Sequence, residues 1–302
     1  MQNNLSTTEQ QNPNTLNIDE KSTFEILETI NKEDQIVPQA VSLILPQLAK
    51  AIDCIYNVLS KGGRLIYIGA GTSGRMGILD ASECPPTFGV PPTLIQGVIA
   101  GGPIALTHAV EGAEDSKDMG KDDLIKIKLD SHDVVCGIAT SGQTPYVIGG
   151  LCYAGLTGCP TVSISCVKNS EVSKYSDYPI ECIVGPEVIT GSTRMKAGTA
   201  TKLILNMITT TVMIKMGKIY GNLMIDVQPT NNKLKKRALR VVKEVTGIED
   251  DKKVEDLLNE CNYNVKIAIL KELTGKTIKE CEEELEKNKG HVRKTIKSFM
   301  KK

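Results

Sequence analysis

A glycine-rich turn that carries two hydroxyl side chains joins an apolar run to a helix-like stretch. Residues 65–68 are rich in β-formers, and the sequence Gly-Ala-Gly-Thr-Ser-Gly follows at residues 69–74. A turn between a parallel strand and a helix aims backbone N–H groups and the positive end of the helix dipole at an anion. The N–H groups of Gly71, Thr72 and Ser73, together with the hydroxyls of Thr72 and Ser73, suit the several oxygens of a phosphate monoester. The spacing therefore predicts a phosphate-binding turn.

The same glycines spell G-x-G-x-x-G, which is also the pattern of a dinucleotide-binding turn. Such a site has an acidic residue at the end of the next strand, about 20 residues further on, where it holds a ribose hydroxyl. The next strand-like run, residues 94–100, has no acid at its end. The sequence thus favours a phosphate monoester over a dinucleotide, and the other alternative is a tight turn with no ligand.

A second apolar run, residues 134–139, also leads into Thr-Ser-Gly and then into a proline suited to the first position of a helix. In parallel sheets, ligands lie beyond the carboxyl ends of the strands. Two such turns on adjacent strands could hold one phosphate from two sides, through Ser141, Gln143 and Thr144. The alternative for this turn is a helix N-cap and nothing more, because Ser and Thr are common there.

Two carboxylates follow the strand-like runs. Glu83 stands before Cys-Pro-Pro, and we expect it to lie beside the phosphate, buried at the end of a helix, with a raised pKa that keeps it a proton donor. Glu114 belongs to an acidic cluster with Glu111 and Asp115, which on local grounds is equally an ordinary solvated helix end. Two carboxyl groups in different protonation states are suited to general acid and base catalysis.

A third polar segment, residues 185–199, is dense in hydroxyls and cations and precedes a long apolar helix. Ser192 is a candidate phosphate ligand. Lys196 and Arg194 could contact a phosphate or a carboxylate, or could balance surface charge, and the sequence leaves both readings open.

The composition excludes several classes of partner. The formal net charge of zero gives no indication of binding to nucleic acid or to an anionic membrane, and the aromatic content of 4% with no Trp disfavours base stacking. The nine cysteines lack CxxC pairs, which is typical of reduced thiols in a cytoplasmic protein. The three histidines show no metal-ligand spacing, so no metal is expected. No apolar run reaches the roughly 20 residues of a membrane span.

The chain alternates strand-like and helix-like stretches, which predicts an α/β fold with a doubly wound parallel sheet. We expect a flexible N-terminus at residues 1–18 and a main domain at residues 19–230, with N-terminal helices. The first of these helices should be capped by Ser22, with Glu25 at the capping-box position. We expect a small helical domain at residues 231–302, where strand patterns disappear, with helices at residues 234–245, 254–273 and 278–286 and a basic tail after residue 290. The expected strands are residues 65–68, 94–100, 134–139, 161–165 and 181–184.

Four long motifs, at residues 69–89, 109–115, 140–146 and 190–199, resemble those of the N-acetylmuramic acid 6-phosphate etherase family, of the sugar isomerase (SIS) superfamily. The resemblance runs from about residue 18 to the C-terminus. It implies a flavodoxin-like SIS domain, a ubiquitin-associated-like (UBA-like) helical C-terminus, and a homodimer with active sites at the interface. It implies cleavage of a D-lactyl ether from a sugar phosphate without metal, nucleotide or other cofactor. The catalytic glutamates of the family fall on Glu83 and Glu114.

Two other functions remain open within this superfamily. A non-catalytic sugar-phosphate-binding regulator would keep the Thr-Ser-Gly turns and need neither glutamate. An aldose–ketose isomerase would also act at C2 of the sugar but would have no leaving group to protonate. The presence of both Glu83 and Glu114 favours the enzyme over the regulator.

Overall fold

The computed structural model describes residues 6–227 and 231–301, and these form two compact units. The first unit contains the residues up to Glu83 and Pro92–Thr209. The second contains Cys84–Pro91 and the residues from Thr210 onward. The predicted boundary at residue 230 adjoins residues 228–230, which lie outside the described residues.

The first unit is built on one parallel five-stranded sheet, as the alternating pattern predicts. The strand order is β2-β1-β3-β4-β5, with every neighbouring pair parallel. All residues of β1, β3 and β4 are buried, as expected for strands covered by helices on both faces. The strands are β1 (Leu65–Gly69), β2 (Ile95–Ile99), β3 (Val134–Ile138), β4 (Thr161–Ser165) and β5 (Tyr178–Glu181).

Within the described part of the chain, seven α-helices accompany this sheet. They are α1 (Thr23–Asp34), α2 (Ile36–Leu43), α3 (Leu45–Leu59), α4 (Gly71–Phe88), α5 (Lys117–Lys126), α6 (Pro145–Thr157) and α7 (Lys196–Lys215). The predicted capping box of α1 is present: the Ser22 side chain accepts from the N–H of Glu25, and the Glu25 side chain accepts from the N–H of Ser22. Among the described residues, no helix is both long enough and apolar enough to cross a membrane.

Two predicted element boundaries are wrong. The fifth strand covers Tyr178–Glu181 and not residues 181–184, because Asp177 sets its register: the Asp177 carboxylate accepts the N–H of Thr161 at 2.8 Å. Helix α4 does not stop before Pro85-Pro86 but continues to Phe88. The two prolines only remove N–H donors near the end of the helix, and the N–H of Gly89 still donates to the carbonyl of Pro85 at 3.0 Å.

The N-terminal segment differs from the flexible stretch expected at residues 1–18. Residues 1–5 lie outside the described residues, but residues 6–18 have defined contacts. Thr8 is 1% exposed, Asn12 Nδ2 donates to Glu33 Oε2 at 2.7 Å, and the Thr15 hydroxyl donates to the carbonyl of Val188 at 2.8 Å. Composition concealed this order because polar side chains, and not apolar burial, hold the segment.

The second unit is mainly helical, as predicted for the C-terminal region. A short hairpin, β6 (Ile219–Tyr220) and β7 (Leu223–Met224), precedes α8 (Asn232–Thr246), α9 (Asp251–Glu260), α10 (Val265–Thr274), α11 (Ile278–Lys287) and α12 (Val292–Met300). The expected single helix over residues 254–273 is two helices, because Asn262 and Tyr263 take positive φ angles between them. The expected basic tail contains α12.

Gly74 is needed where α4 leaves β1. A Cβ at this position would lie 2.6 Å from Ile99 Cγ1 and 2.8 Å from the Gly69 carbonyl oxygen. We expect Gly74→Ala to destabilise the protein by about 1–3 kcal/mol, the usual cost of overpacking. Urea unfolding measures the difference.

The control for this variant is Gly155→Ala. Gly155 lies in α6, and a Cβ there would meet nothing within 4 Å. Because Ala is the better helix former by about 1 kcal/mol, this variant should be at least as stable as the wild type. Equal stability of the two variants would contradict the packing argument.

Candidate active site

The first predicted phosphate turn is the N-terminus of α4. The helix begins at Gly71, directly after β1, and the N–H of Gly74 already donates to the Ala70 carbonyl at 3.1 Å. The N–H groups of Gly71, Thr72 and Ser73 precede this bond and have no partner within the helix. Ser73 is buried and Thr72 is half-buried. These three residues therefore offer N–H donors at the positive end of an 18-residue helix.

The second predicted turn follows the strand next to β1. β1 pairs with β3 in parallel, with Gly69 opposite Ile138, so the two turns leave the same edge of the sheet from adjacent strands. Ser141 and Thr144 are half-buried, and Gln143 is exposed. Thr144 is the N-cap residue of α6, but its side chain makes no capping hydrogen bond. The Thr144 hydroxyl is therefore not used to cap this helix.

The third polar segment reaches the first turn. A Cβ built at Gly198 would lie 3.8 Å from Thr72 Cγ2 and 3.5 Å from the carbonyl oxygen of Thr193. The start of α7 thus lies beside the start of α4. Ser192 is half-buried in the loop before α7, where its N–H donates to the Ile189 carbonyl at 3.0 Å. The fold brings this segment and the first turn together.

Lys196 is not a surface residue. It is 1% exposed, and its Nζ lies 2.6 Å from Oε2 of Glu33 on α1. The Glu33 carboxylate also accepts hydrogen bonds from Asn12 Nδ2 and Asn14 Nδ2. Burial acts to raise the pKa of Glu33, but these three donors outweigh it and hold that pKa below its ordinary value. The alternative that Lys196 balances surface charge is wrong, and its role as a substrate ligand stays a prediction.

A distant carboxylate caps α7. Glu187 is fully buried and accepts the N–H groups of Lys196 and Ala197, each at 2.9 Å. Burial raises the pKa of Glu187, while the two backbone donors act in the opposite direction. Sequence reasoning missed this residue because a Glu that lies nine positions before the start of a helix carries no local signal. It holds the loop that contains Ser192.

Glu83 is exposed and lines a cavity of about 330 Å³ between α4 and α7. The other lining residues are Met76, Leu79, Asp80, Lys202, Leu205 and Asn206. The prediction that Glu83 is buried is therefore wrong for the single chain. Glu83 also follows Gly71 by twelve residues on one helix, or about 18 Å at 1.5 Å per residue, so it is not beside the first phosphate turn.

The buried carboxylate of this cavity is Asp80, which sequence reasoning missed. Asp80 precedes Glu83 by three residues on α4 and is 5% exposed. Its oxygens accept from Tyr67 Oη at 3.0 Å, Asn206 Nδ2 at 2.8 Å and Thr209 Oγ1 at 3.1 Å. Burial raises its pKa, against the effect of these donors. The i, i+3 spacing of two carboxylates on one helix was the available signal.

Glu114 lies in a different place from Glu83. It is exposed in a single 3-10 turn, Ala113–Asp115, that packs against α6. Buried Ala113 anchors the turn in the core, and Ser116 then caps α5 by accepting the N–H of Met119. Glu114 is not among the residues that line the cavity of Glu83.

The described residues contain no group of three or more His, Cys, Asp or Glu side chains that could hold a metal ion. The second unit has a larger cavity, of about 900 Å³, lined partly by cations of α8, and none of the predicted site residues borders it. The first unit thus offers an anion-binding helix end, hydroxyl-bearing loops around it, and two exposed glutamates. Such a set can bind a phosphate monoester and transfer protons.

Known proteins similar to this chain were found by sequence and by structure. It is 54% identical over 292 residues to N-acetylmuramic acid 6-phosphate etherase of Clostridium botulinum, covering 97% of each chain. It is 50% identical to the enzyme of the same name from Salmonella typhi, covering 97% of this chain and 99% of that one. A family model, the glucokinase regulatory protein N-terminal SIS domain, matches residues 47–155.

A solved structure shares the fold. Phosphoheptose isomerase from Francisella tularensis is similar with a TM-score of 0.51 at 17% sequence identity, covering 64% of this chain and 99% of that chain. At this identity the likeness shows the fold alone. It agrees with the doubly wound sheet described above.

Breaking the Lys196–Glu33 ion pair should lower the free energy of unfolding. We expect Lys196→Met to destabilise the protein by about 3–5 kcal/mol, because it leaves the carboxylate of Glu33 buried without its cation. Adding Glu33→Gln to this variant should restore part of the loss. Chemical denaturation measures both differences.

A matched control is Lys32→Met, which makes the same change in an exposed pair. Lys32 Nζ lies 3.3 Å from Glu28 Oε1, and both side chains are more than half exposed. Such pairs contribute about 0–1 kcal/mol. A loss in Lys196→Met no larger than in Lys32→Met would show that the buried pair does not stabilise the fold.

Proposed function

This chain belongs to the N-acetylmuramic acid 6-phosphate etherase family, and we propose that it removes the D-lactyl ether at C3 of N-acetylmuramic acid 6-phosphate. The products are N-acetylglucosamine 6-phosphate and D-lactate, which makes the protein a carbon–oxygen lyase of amino-sugar catabolism. The observation that carries this proposal is identity of 54% over 97% of the chain to a protein of that name. We assign the reaction to N-acetylmuramate degradation and peptidoglycan recycling.

The reaction needs two proton transfers because an ether alkoxide is a poor leaving group. Opening of the sugar ring makes C1 an aldehyde, which acidifies the proton on C2. A carboxylate takes that proton, the C3–O bond breaks, and a carboxylic acid protonates the departing lactyl oxygen. Water then adds to C3 of the unsaturated aldehyde, with its hydroxyl on C3 and a proton returned to C2. Each positioned acid or base is worth roughly 10²–10⁴ in rate.

We assign the acid to Glu83 and the base to Glu114. Glu83 lines the same cavity as the buried carboxylate of Asp80, one helical turn away, and its exposed side chain is accessible to a bound sugar. Glu114 is exposed, as suits a carboxylate that accepts a proton.

The phosphate would be held by the first turn, with the second turn and the third segment around it. The donors are the N–H groups of Gly71, Thr72 and Ser73, the hydroxyls of Thr72 and Ser73, and those of Ser141, Thr144 and Ser192, with Gln143 at the rim. The pairing of β1 with β3 supports this arrangement, because it brings two of the turns to adjacent strand ends. A helix N-terminus needs no cation to favour an anion.

We propose that the active enzyme is a homodimer with its sites at the interface. Glu83 is about 18 Å along α4 from the phosphate turn of its own chain, which is farther than one hexose phosphate extends. Two apolar side chains of these helices, Leu79 in the cavity wall and Met207, which follows the lining residue Asn206 in the chain, are 46% and 36% exposed. A second chain that covers them would also bury Glu83. We place the enzyme in the cytoplasm, which suits its nine cysteines, since none of them forms a disulfide in the described residues.

A second candidate is a sugar-phosphate-binding regulator without catalysis. The match of residues 47–155 to the glucokinase regulatory protein domain favours it. It would bind the sugar phosphate through the same turns and release no D-lactate. The relatives named as etherases, which cover nearly the whole chain, favour the enzyme.

Incubation with N-acetylmuramic acid 6-phosphate should release D-lactate, measured with D-lactate dehydrogenase. In deuterium oxide, the N-acetylglucosamine 6-phosphate formed should carry deuterium at C2, because the abstracted proton exchanges with solvent before C2 is protonated again. Mass spectrometry and NMR locate the label. Saturable binding without D-lactate would support the regulator, and D-lactate release without deuterium at C2 would contradict the elimination mechanism.

Replacement of the acid should stop turnover without stopping binding. We expect Glu83→Gln to lower kcat by about 10²–10⁴ and to leave the affinity for N-acetylglucosamine 6-phosphate close to that of the wild type. The matched control is Glu111→Gln, an exposed glutamate near Glu114 that should retain full activity. Turnover of Glu83→Gln at the rate of this control would disprove the acid role.

A further inference from the structure

We propose that Lys202 binds the lactyl carboxylate of the substrate, in the cavity that also contains Glu83. This inference rests on the proposed etherase function and adds the residue that recognises the leaving group. Lys202 lies on α7, on the opposite wall of the cavity from Glu83 and Asp80 of α4.

The position of the cavity follows from how α4 and α7 lie together in the first unit. Thr72 approaches Gly198 near the start of both helices, and two turns further on Asp80 accepts hydrogen bonds from Asn206 and Thr209. The two helices therefore run side by side in the same direction. Lys202 lies between these two contact points in the sequence of α7 and lines the cavity that also contains Glu83.

The cation that lines this cavity, Lys202, is available to a ligand. Lys202 is exposed and forms no ion pair with any residue in the described ranges 6–227 and 231–301. Asp80 has three other donors, so it does not need Lys202 as a partner. The charge of Lys202 nonetheless acts on the cavity, since it opposes the rise that burial causes in the pKa of Asp80.

The chemistry of the leaving group requires such a cation. The lactyl carboxylate is attached to the carbon that bears the ether oxygen, so an acid that reaches this oxygen has the carboxylate next to it. The Asp80 carboxylate would repel that carboxylate, and the repulsion is strong where water is excluded. An ammonium on the facing helix offsets it and stabilises the charge of the departing lactate.

The size and lining of the cavity fit a small group with one charged and one apolar side. Its volume of about 330 Å³ is at the lower end of the range of about 300–1,000 Å³ for small-molecule pockets. Met76, Leu79 and Leu205 provide apolar walls that suit the lactyl methyl group. A sugar that lacks the lactyl group would leave Lys202 unused.

The test compares two ligands that differ only in the lactyl group. Binding of N-acetylmuramic acid 6-phosphate and of N-acetylglucosamine 6-phosphate is measured by calorimetry in Glu83→Gln, which stops turnover, with and without Lys202→Met. We expect Lys202→Met to lower the affinity for N-acetylmuramic acid 6-phosphate about 10- to 100-fold, as for loss of a charged hydrogen bond. The affinity for N-acetylglucosamine 6-phosphate should change less than about twofold. Lys202→Arg should keep most of the preference.

The control is Lys50→Met, the same change at an exposed lysine of α3 outside the cavity, which should affect neither ligand. Equal weakening of both ligands by Lys202→Met would assign Lys202 to the phosphate and overturn the proposal, as would no weakening of either. These binding results do not depend on turnover. Failure of the wild type to release D-lactate would instead contradict the etherase function, independently of the binding results for Lys202.

Discussion

The close approach of α4 to β1 is the constraint on which the rest of the site depends. Gly69 and Gly74 lie so near each other that a Cβ on either would come within 2.9 Å of backbone atoms of the other. The helix therefore starts with no intervening loop, and its free N–H groups point from the edge of the sheet. The same rigid helix then sets where Asp80 and Glu83 stand, because every residue beyond the turn is fixed by the helical repeat.

Buried polar bonds position the start of α7 and the loop before it, on the other side of the site. Glu187 caps α7 from nine residues upstream, and Glu33 pairs with Lys196 inside the protein. Ions are costly to bury, so such groups are stable only when all their partners are in place. The loop that contains Ser192 is therefore tied to α1 and to the N-terminal segment through Asn12. This network makes the third segment a fixed wall next to Thr72.

The two carboxylates of α4 divide their roles by burial. Asp80 is enclosed and satisfied by three donors, whereas Glu83, one turn later, faces the opening of the cavity. A satisfied buried carboxylate rigidifies its surroundings, and an exposed one is available to a ligand. The proposed chemistry uses this difference: Asp80 shapes the electrostatic environment, Glu83 transfers the proton, and Lys202 balances the charge that the ligand brings.

The sequence by itself determined the local geometry: the glycine turn after β1, the Thr-Ser-Gly turn after β3, the capping box of Ser22, and the strand–helix alternation that gives a parallel sheet. These features depend on residues close in the chain, whose conformational preferences act locally. Tertiary structure decided the partner of Lys196, the burial of Asp80, the exposure of Glu83 and the order of residues 6–18. The reason is physical: Glu33 and Lys196 are 163 residues apart, and Asp80 and Asn206 are 126 apart. Burial and charge pairing at such separations depend on how the helices pack against the sheet, which no local spacing encodes.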